Sequence, residues 1–253
     1  EKQTGTFNAG VSVGTLDGFS IVTGLRERNF YGTGRSLDVL LNTSDDRNQF
    51  KLITTDRLSY ENDADISYSI NYKQQDFSKA SSYKVDTFSS GIGIGYSINN
   101  NLYHNIDFEY ALKDYRVTNS STVANTILKS SGSNISYLIK NNFRYSTLNR
   151  GFISKTGNYI NFNNTFETPT SSNNGYVKNL ITLKKYFSNQ NSIYGVQGKI
   201  GNIFSLNNND ILTDDKFSLG GRSLRGFDSY GAGPRNSRTS YIGGNNIASL
   251  KLD

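Results

Sequence analysis

Phe88-Ser89-Ser90-Gly91-Ile92-Gly93-Ile94-Gly95-Tyr96-Ser97-Ile98 is the stretch on which the fold class turns. Successive side chains of an extended strand point to opposite faces. Phe88, Ile92, Ile94, Tyr96 and Ile98 therefore share one face, and Ser89, Gly91, Gly93, Gly95 and Ser97 share the other. A helix would scatter both sets around its circumference. The two faces differ sharply: one is aliphatic and aromatic, the other nearly bare.

The same period-two pattern recurs outward in both directions. Leu102, Ile106, Phe108, Tyr110 and Leu112 stand opposite Asn105, Asp107, Glu109 and Lys113. Ala64, Ile66, Tyr68, Ile70 and Tyr72 alternate with Asp65, Ser67, Ser69, Asn71 and Lys73, and Ile135, Tyr137, Ile139, Phe143 and Tyr145 make a further stripe. Near the start, Phe7, Ala9, Val11 and Val13 face away from Asn8, Gly10, Ser12 and Gly14. Roughly twelve such segments of about ten residues fill the chain, the length that crosses a bilayer at a tilt.

Composition supports a wet interior. The 253 residues are 35% hydrophobic and 13% aromatic, with a mean hydropathy of -0.55. That is too polar for a densely packed soluble core and too aromatic for a disordered chain. A barrel whose strands have one lipid face and one aqueous face reconciles the two figures. A soluble sandwich also alternates, but it gives no reason for connections of unequal length. Here 99–101 and 188–191 are tight, whereas 74–84, 118–132, 168–174 and 204–241 are long and polar. Short early connections at 15–18 and 44–47 break the pattern on the presumed outer side. Both prolines, Pro169 and Pro234, fall in loops, as strand interiors require. The expected fold is all-β, a transmembrane antiparallel barrel occupying 1–253 as one domain.

Several function classes drop out. The chain holds no cysteine, which removes disulfides, cysteine-held metals and thiol catalysis. The charge of +6 is scattered, with no basic run for nucleic acid, and no HExxH, P-loop or zinc spacing occurs. His104, the single histidine, lies in an apolar register beside Tyr103 and reads as an interfacial residue rather than a catalytic base. No cofactor and no enzyme activity are expected.

The longest connection is the least ordinary. Phe217-Ser218-Leu219-Gly220-Gly221-Arg222-Ser223-Leu224-Arg225-Gly226-Phe227-Asp228, followed by Gly231-Ala232-Gly233-Pro234-Arg235, mixes turn glycines, apolar residues and arginines. Connections beyond ~15 residues are usually functional or disordered, and this composition favours function. Gly226 allows a sharp turn that sends Arg225 towards a carboxylate and Phe227 towards an apolar wall. Arg222, Arg235 and Arg238 are candidate contacts for lipopolysaccharide phosphates, but solvated loop charge is the favoured reading of them. Leu25, Phe30 and Tyr31 read as residues of an interfacial belt.

Leu224-Arg225-Gly226-Phe227 resembles the VRGF signature of the outer-membrane assembly superfamily, with Leu in place of Val. Gly220, Gly221, Gly233, Pro234 and Arg235 around it are similar to the supporting residues of that family's sixth external loop. Asn29-Phe30-Tyr31-Gly32-Thr33-Gly34 resembles the family's N-x-x-G-T-G turn after the second strand. Leu148-Asn149-Arg150-Gly151-Phe152 with Thr156-Gly157 resembles the turn before its ninth. The three motifs stand in family order, and the nearest branch is similar to the BamA-type assembly factors. The resemblance implies a sixteen-strand barrel, of which this chain carries about twelve, with periplasmic POTRA domains upstream and four strands downstream. The twelfth strand is expected at 242–253.

The resemblance also implies residence in the bacterial outer membrane and insertion of other β-barrels into it. Expected partners are unfolded outer-membrane proteins as clients, accessory assembly lipoproteins, the lipid bilayer and lipopolysaccharide. Thr6, Phe7, Asn8, Ala9, Gly10 and Val11 become the lateral-gate strand, able to recruit a client strand by edge pairing. Arg225 is expected to pair with carboxylates on strands twelve and thirteen. Lys251 stands at one of those places, so the signature loop is expected to be poorly anchored; where it is ordered, lumen acids such as Asp38, Asp65 or Asp107 substitute. A pore or secretion transporter of the same superfamily is the competing expectation.

Overall fold

The computed structural model describes residues 4–14, 18–59, 64–149, 155–170, 174–189, 192–207, 210–221, 223–224, 226–228, 230–236 and 240–252. They form a 12-stranded sheet in which every strand pairs with its neighbour in sequence. The strands are β1 (Gly5–Gly14), β2 (Gly18–Glu27), β3 (Ser36–Ser44), β4 (Arg47–Ser59), β5 (Ala64–Asp76) and β6 (Tyr83–Asn99). They continue as β7 (Leu102–Val117), β8 (Gly132–Ser146), β9 (Gly157–Glu167), β10 (Tyr176–Asn189), β11 (Ser192–Ser205) and β12 (Asn246–Leu252). Two short helices, α1 (Ser78–Ser81) and α2 (Asn125–Lys129), sit in the loops before β6 and β8. All pairings are antiparallel, and β1 and β12 are the edges of the sheet.

The sheet curls until side chains of β4, such as Gln49 and Lys51, line the same cavity of about 560 Å³ as Thr165 of β9 and Lys178 of β10. The polar registers read from the sequence face this interior: Ser67, Ser69, Asn71 and Lys73 from β5, Asp107, Glu109 and Lys113 from β7. The opposite registers stay bare. Phe88, Ile92, Ile94, Tyr96 and Ile98 of β6 are all exposed on the outer face. Such a surface would be costly in water but costs nothing against hydrocarbon, where closed backbone hydrogen bonding is the stricter demand.

The bare glycines of β6 have a use. A Cβ on Gly95 would overlap the Tyr103 hydroxyl, and one on Gly93 would overlap the Asp107 carboxylate. Their absence lets the Tyr103 hydroxyl reach across the strand to Asp65 at 3.4 Å.

Two elements depart from the sequence expectation. The loop expected at 74–84 is mostly structure, because β5 runs to Asp76 and β6 begins at Tyr83. The twelfth strand begins at Asn246 rather than at residue 242. The intervening backbone pairs with the incoming loop instead: Phe217 bridges Gly244, and Ile242 N–H donates to the Pro234 carbonyl at 3.0 Å.

Candidate functional site: the long loop docked inside the sheet

The connection at 206–245 enters the concave side of the sheet. Its anchor is Asp214-Asp215. The Lys113 ammonium, on the inner face of β7, lies 2.9 Å from Asp215 Oδ1 and 3.6 Å from Asp214 Oδ2. The Tyr115 hydroxyl donates to both Asp214 oxygens at 3.0 Å, and the Tyr176 hydroxyl to Asp215 at 3.3 Å. Lys178 donates to the Asp215 backbone carbonyl. Lys113 is only 8% exposed and Tyr115 is buried, so the contact is desolvated. Burial, with the charge of Asp215 beside it, pushes the Asp214 carboxyl above its usual range; Lys113 and the Tyr115 hydrogen bond pull it back.

Apolar packing flanks the anchor on both sides. Leu212 joins Phe77, Tyr83, Val85, Tyr115 and Ile127, with Tyr230 and Ile242 of the loop packed against them. On the other side Ile211 and Phe217 bury against Tyr176 and Ile203. Phe217 fits because position 201 is glycine: a Cβ there would lie 2.8 Å from both the ring and the Asn179 carbonyl. Gly201→Val is therefore expected to lift Phe217 off the wall and destabilise the docked loop by roughly 1–3 kcal/mol. Gly198→Ala, where the added carbon meets nothing within 4 Å, serves as the control. Amide hydrogen exchange at Phe217 and Gly244 measures the difference.

The loop continues into a hairpin closed by a Leu219–Ala232 bridge. Within it, Gly221 N–H donates to the Phe227 carbonyl at 2.9 Å. The glycine-rich segment has the backbone its composition requires: Gly220, Gly221, Gly226 and Gly233 all have positive φ. Leu224 and Phe227 are 37% and 49% exposed, so Phe227 does not have the apolar seat expected for it. Arg225, Arg222 and Arg238 lie outside the described residues. Arg235 stacks 3.9 Å over the Tyr241 ring, and Tyr241 N–H donates to the Ala80 carbonyl at 2.9 Å. Ser218, Leu219, Gly220 and Ser223 face Ser12 of β1 and Ser20 of β2 across a cavity of about 450 Å³. The hairpin thus looks onto the inner side of the first strands.

The three acids expected to serve the loop are engaged elsewhere: Asp38 with Arg26, Asp65 with Tyr103, and Asp107 with Asn105. Lys251 sits in β12 opposite Gln197. His104 is buried, its ring stacked 4.0 Å from that of Phe143 and its nitrogens facing Tyr96 and Asn141. Thr6, Phe7, Asn8, Ala9, Gly10 and Val11 run through β1, paired to β2 on one side. Among the described residues, no strand pairs with the other side of β1.

The sequence profile of the Omp85 superfamily domain matches residues 29–252. The chain belongs to the Omp85 superfamily. It is 25% identical over 256 residues to the outer membrane protein assembly factor BamA of Neorickettsia risticii (strain Illinois), covering 97% of this chain and 33% of that protein. The chain therefore spans about a third of that relative's length. Among solved structures, BamA from Haemophilus ducreyi lacking POTRA domains 1–3 superposes with a TM-score of 0.85 at 23% identity, covering 100% of this chain and 53% of that one. CdiB from Acinetobacter baumannii gives 0.57 at 14% identity, over 99% and 53%. This Omp85 chain matches the barrel portion of BamA and resides in the bacterial outer membrane.

Proposed function

We propose that this barrel assembles and inserts other β-barrel proteins into the outer membrane. What supports the proposal is the likeness of the whole chain to the barrel portion of an assembly factor, with β1 an edge strand among the described residues. A free edge is a row of unmet backbone donors and acceptors. An incoming strand of an unfolded outer-membrane protein satisfies it by adding to the sheet. Thr6, Asn8 and Gly10 would face the lumen and Phe7, Ala9 and Val11 the lipid, so a captured strand inherits the sheet's own inside and outside. The step is templated pairing, with no bond made or broken beyond hydrogen bonds. Leu224, Arg225, Gly226 and Phe227 act as its inner support, the neighbouring Ser218, Leu219, Gly220 and Ser223 facing Ser12 and Ser20 of the first strands. Accessory lipoproteins and lipopolysaccharide are partners of the complete assembly.

A pore or secretion channel of the same superfamily is the weaker reading, because the long loop occupies the lumen and is held there by the Lys113–Asp215 pair. The test is disulfide capture. Single cysteines at successive positions from Thr6 to Val11 are paired with a client carrying one cysteine in its last strand. The expected result is capture in one register, alternating along β1 with period two. Capture without register, or equal capture at β12, would remove the edge-pairing proposal.

A further inference from the structure

We infer that the lipid-facing wall over β8–β12 carries a hydrated inlet: a row of asparagines that admits water and lipid headgroups from the loop-side rim towards the bilayer centre. Cross-strand register places Asn141, Asn164, Asn179, Asn202 and Asn246 in one line across the five strands. Asn141 donates to Asn164 at 3.4 Å, Asn164 to Asn179 at 2.8 Å and Asn179 to Asn202 at 3.1 Å. The row is on the outside, since Asn163, Thr165, Lys178 and Leu180, the alternate residues of β9 and β10, line the lumen.

Each asparagine interrupts an apolar face. Ile139 and Phe143 flank Asn141, Phe162 and Phe166 flank Asn164, and Ile200 and Phe204 flank Asn202. On β5–β7 the same row is Ile66, Ile94 and Ile106. The first half of the wall is therefore apolar where the second half is amide.

An amide side chain offers two N–H donors and two acceptor lone pairs, and the ladder uses half of those on Asn164 and Asn179 and fewer on the others. Leaving the remainder unmet in hydrocarbon is costly, because nothing there replaces the lost hydrogen bonds to water. Water relieves that cost if it can reach the row, and the geometry provides the route. At about 4.8 Å per strand and a tilt of about 40°, the row climbs roughly 12 Å from β8 to β12. Asn141, Asn164 and Asn179 are half-buried, whereas Asn202 and Asn246 are exposed, as is the adjoining Asn245 of the long loop. The deep end is closed: His104 Nε2 lies 3.4 Å from Asn141 Oδ1, and its ring covers Phe143. The inlet is wide at the loop rim and blind near mid-membrane.

Nitroxide accessibility tests this in the full-length protein carrying one labelled cysteine, reconstituted in vesicles of phosphatidylethanolamine and phosphatidylglycerol. One label replaces Ile181, exposed on the outer face of β10 beside Asn179. The reference label replaces Ile92, exposed on β6 at a similar distance from the tight-turn end of its strand. The ratio of collision with a polar nickel chelate to collision with oxygen should be several-fold higher at position 181. It should fall to the reference value in Asn164→Leu/Asn179→Leu. Equal ratios in the unaltered ladder would mean a dry amide row that only fixes register. Low collision with both reagents at 181 would mean a protein partner or second copy covers it; either result overturns the proposal. If the leucine variant does not insert, the comparison of the two labels decides alone.

Discussion

Exchange of Lys113 for methionine is expected to release the long loop from the lumen while leaving the strands paired. The substitution keeps most of the side-chain volume and removes the charge. Asp214 and Asp215 would then remain among Tyr115, Tyr176 and the apolar clusters without their ammonium. Removing one partner of a buried pair costs about 3–5 kcal/mol, because the other charge stays desolvated. The loop has a way out that the strands lack, so it should undock. Protease cutting within 206–245 should rise steeply, and hydrogen exchange at 211–217 should approach that of a free loop. The double variant Lys113→Met/Asp215→Leu should recover much of the loss, since an apolar pair of similar volume often replaces a buried ion pair without penalty. Equal protease sensitivity in wild type and Lys113→Met would show that the flanking apolar clusters hold the loop unaided.

Why this anchor escaped the sequence is instructive. Lys113 was legible as lumen-facing from the alternation of β7, and Asp214-Asp215 as an acid pair in a loop. Nothing local joins residues so far apart in the chain. The one available signal was chemical: Ile211-Leu212-Thr213-Asp214-Asp215-Lys216-Phe217 sets two acids inside an apolar frame, an unlikely design for a solvated loop. The strands themselves were readable because a lipid-facing strand must be apolar on every second residue. The asparagine row was not, because along any one strand it looks like a lapse in the pattern; only the pairing of five strands aligns it. The start of β12 was misplaced for a related reason. The resemblance carried the strand back to Ile242, but Ile242-Gly243-Gly244 is poor in strand formers, and the backbone of Ile242 and Gly244 pairs with the loop's own incoming chain.

Gly220→Ala is expected to disable client assembly about as fully as Arg225→Ala, though residue 220 offers no side chain to any partner. Gly220 has φ +140, a conformation that strains any residue with a Cβ by roughly 1–3 kcal/mol. An added Cβ would also overlap the Asp228 carbonyl oxygen. That carbonyl accepts from Gly231 N–H at 2.8 Å, and Gly220 itself exchanges hydrogen bonds with Ser223. The alanine therefore forces apart the two legs that hold the turn from Gly221 to Phe227. The Lys113 anchor sits outside this hairpin, so the barrel should still fold and the root of the loop should stay docked. The expected result is a protein at normal level in the outer membrane, with 211–217 still protected from hydrogen exchange and client barrels accumulating unfolded. Gly226→Ala, where a Cβ meets nothing within 4 Å but φ is +88, should give a milder defect set by backbone strain alone. If Gly220→Ala assembled clients normally, the shape of this hairpin would be irrelevant to the task, and the support assigned to Arg225-Gly226-Phe227 would have to come from somewhere other than the turn that presents it.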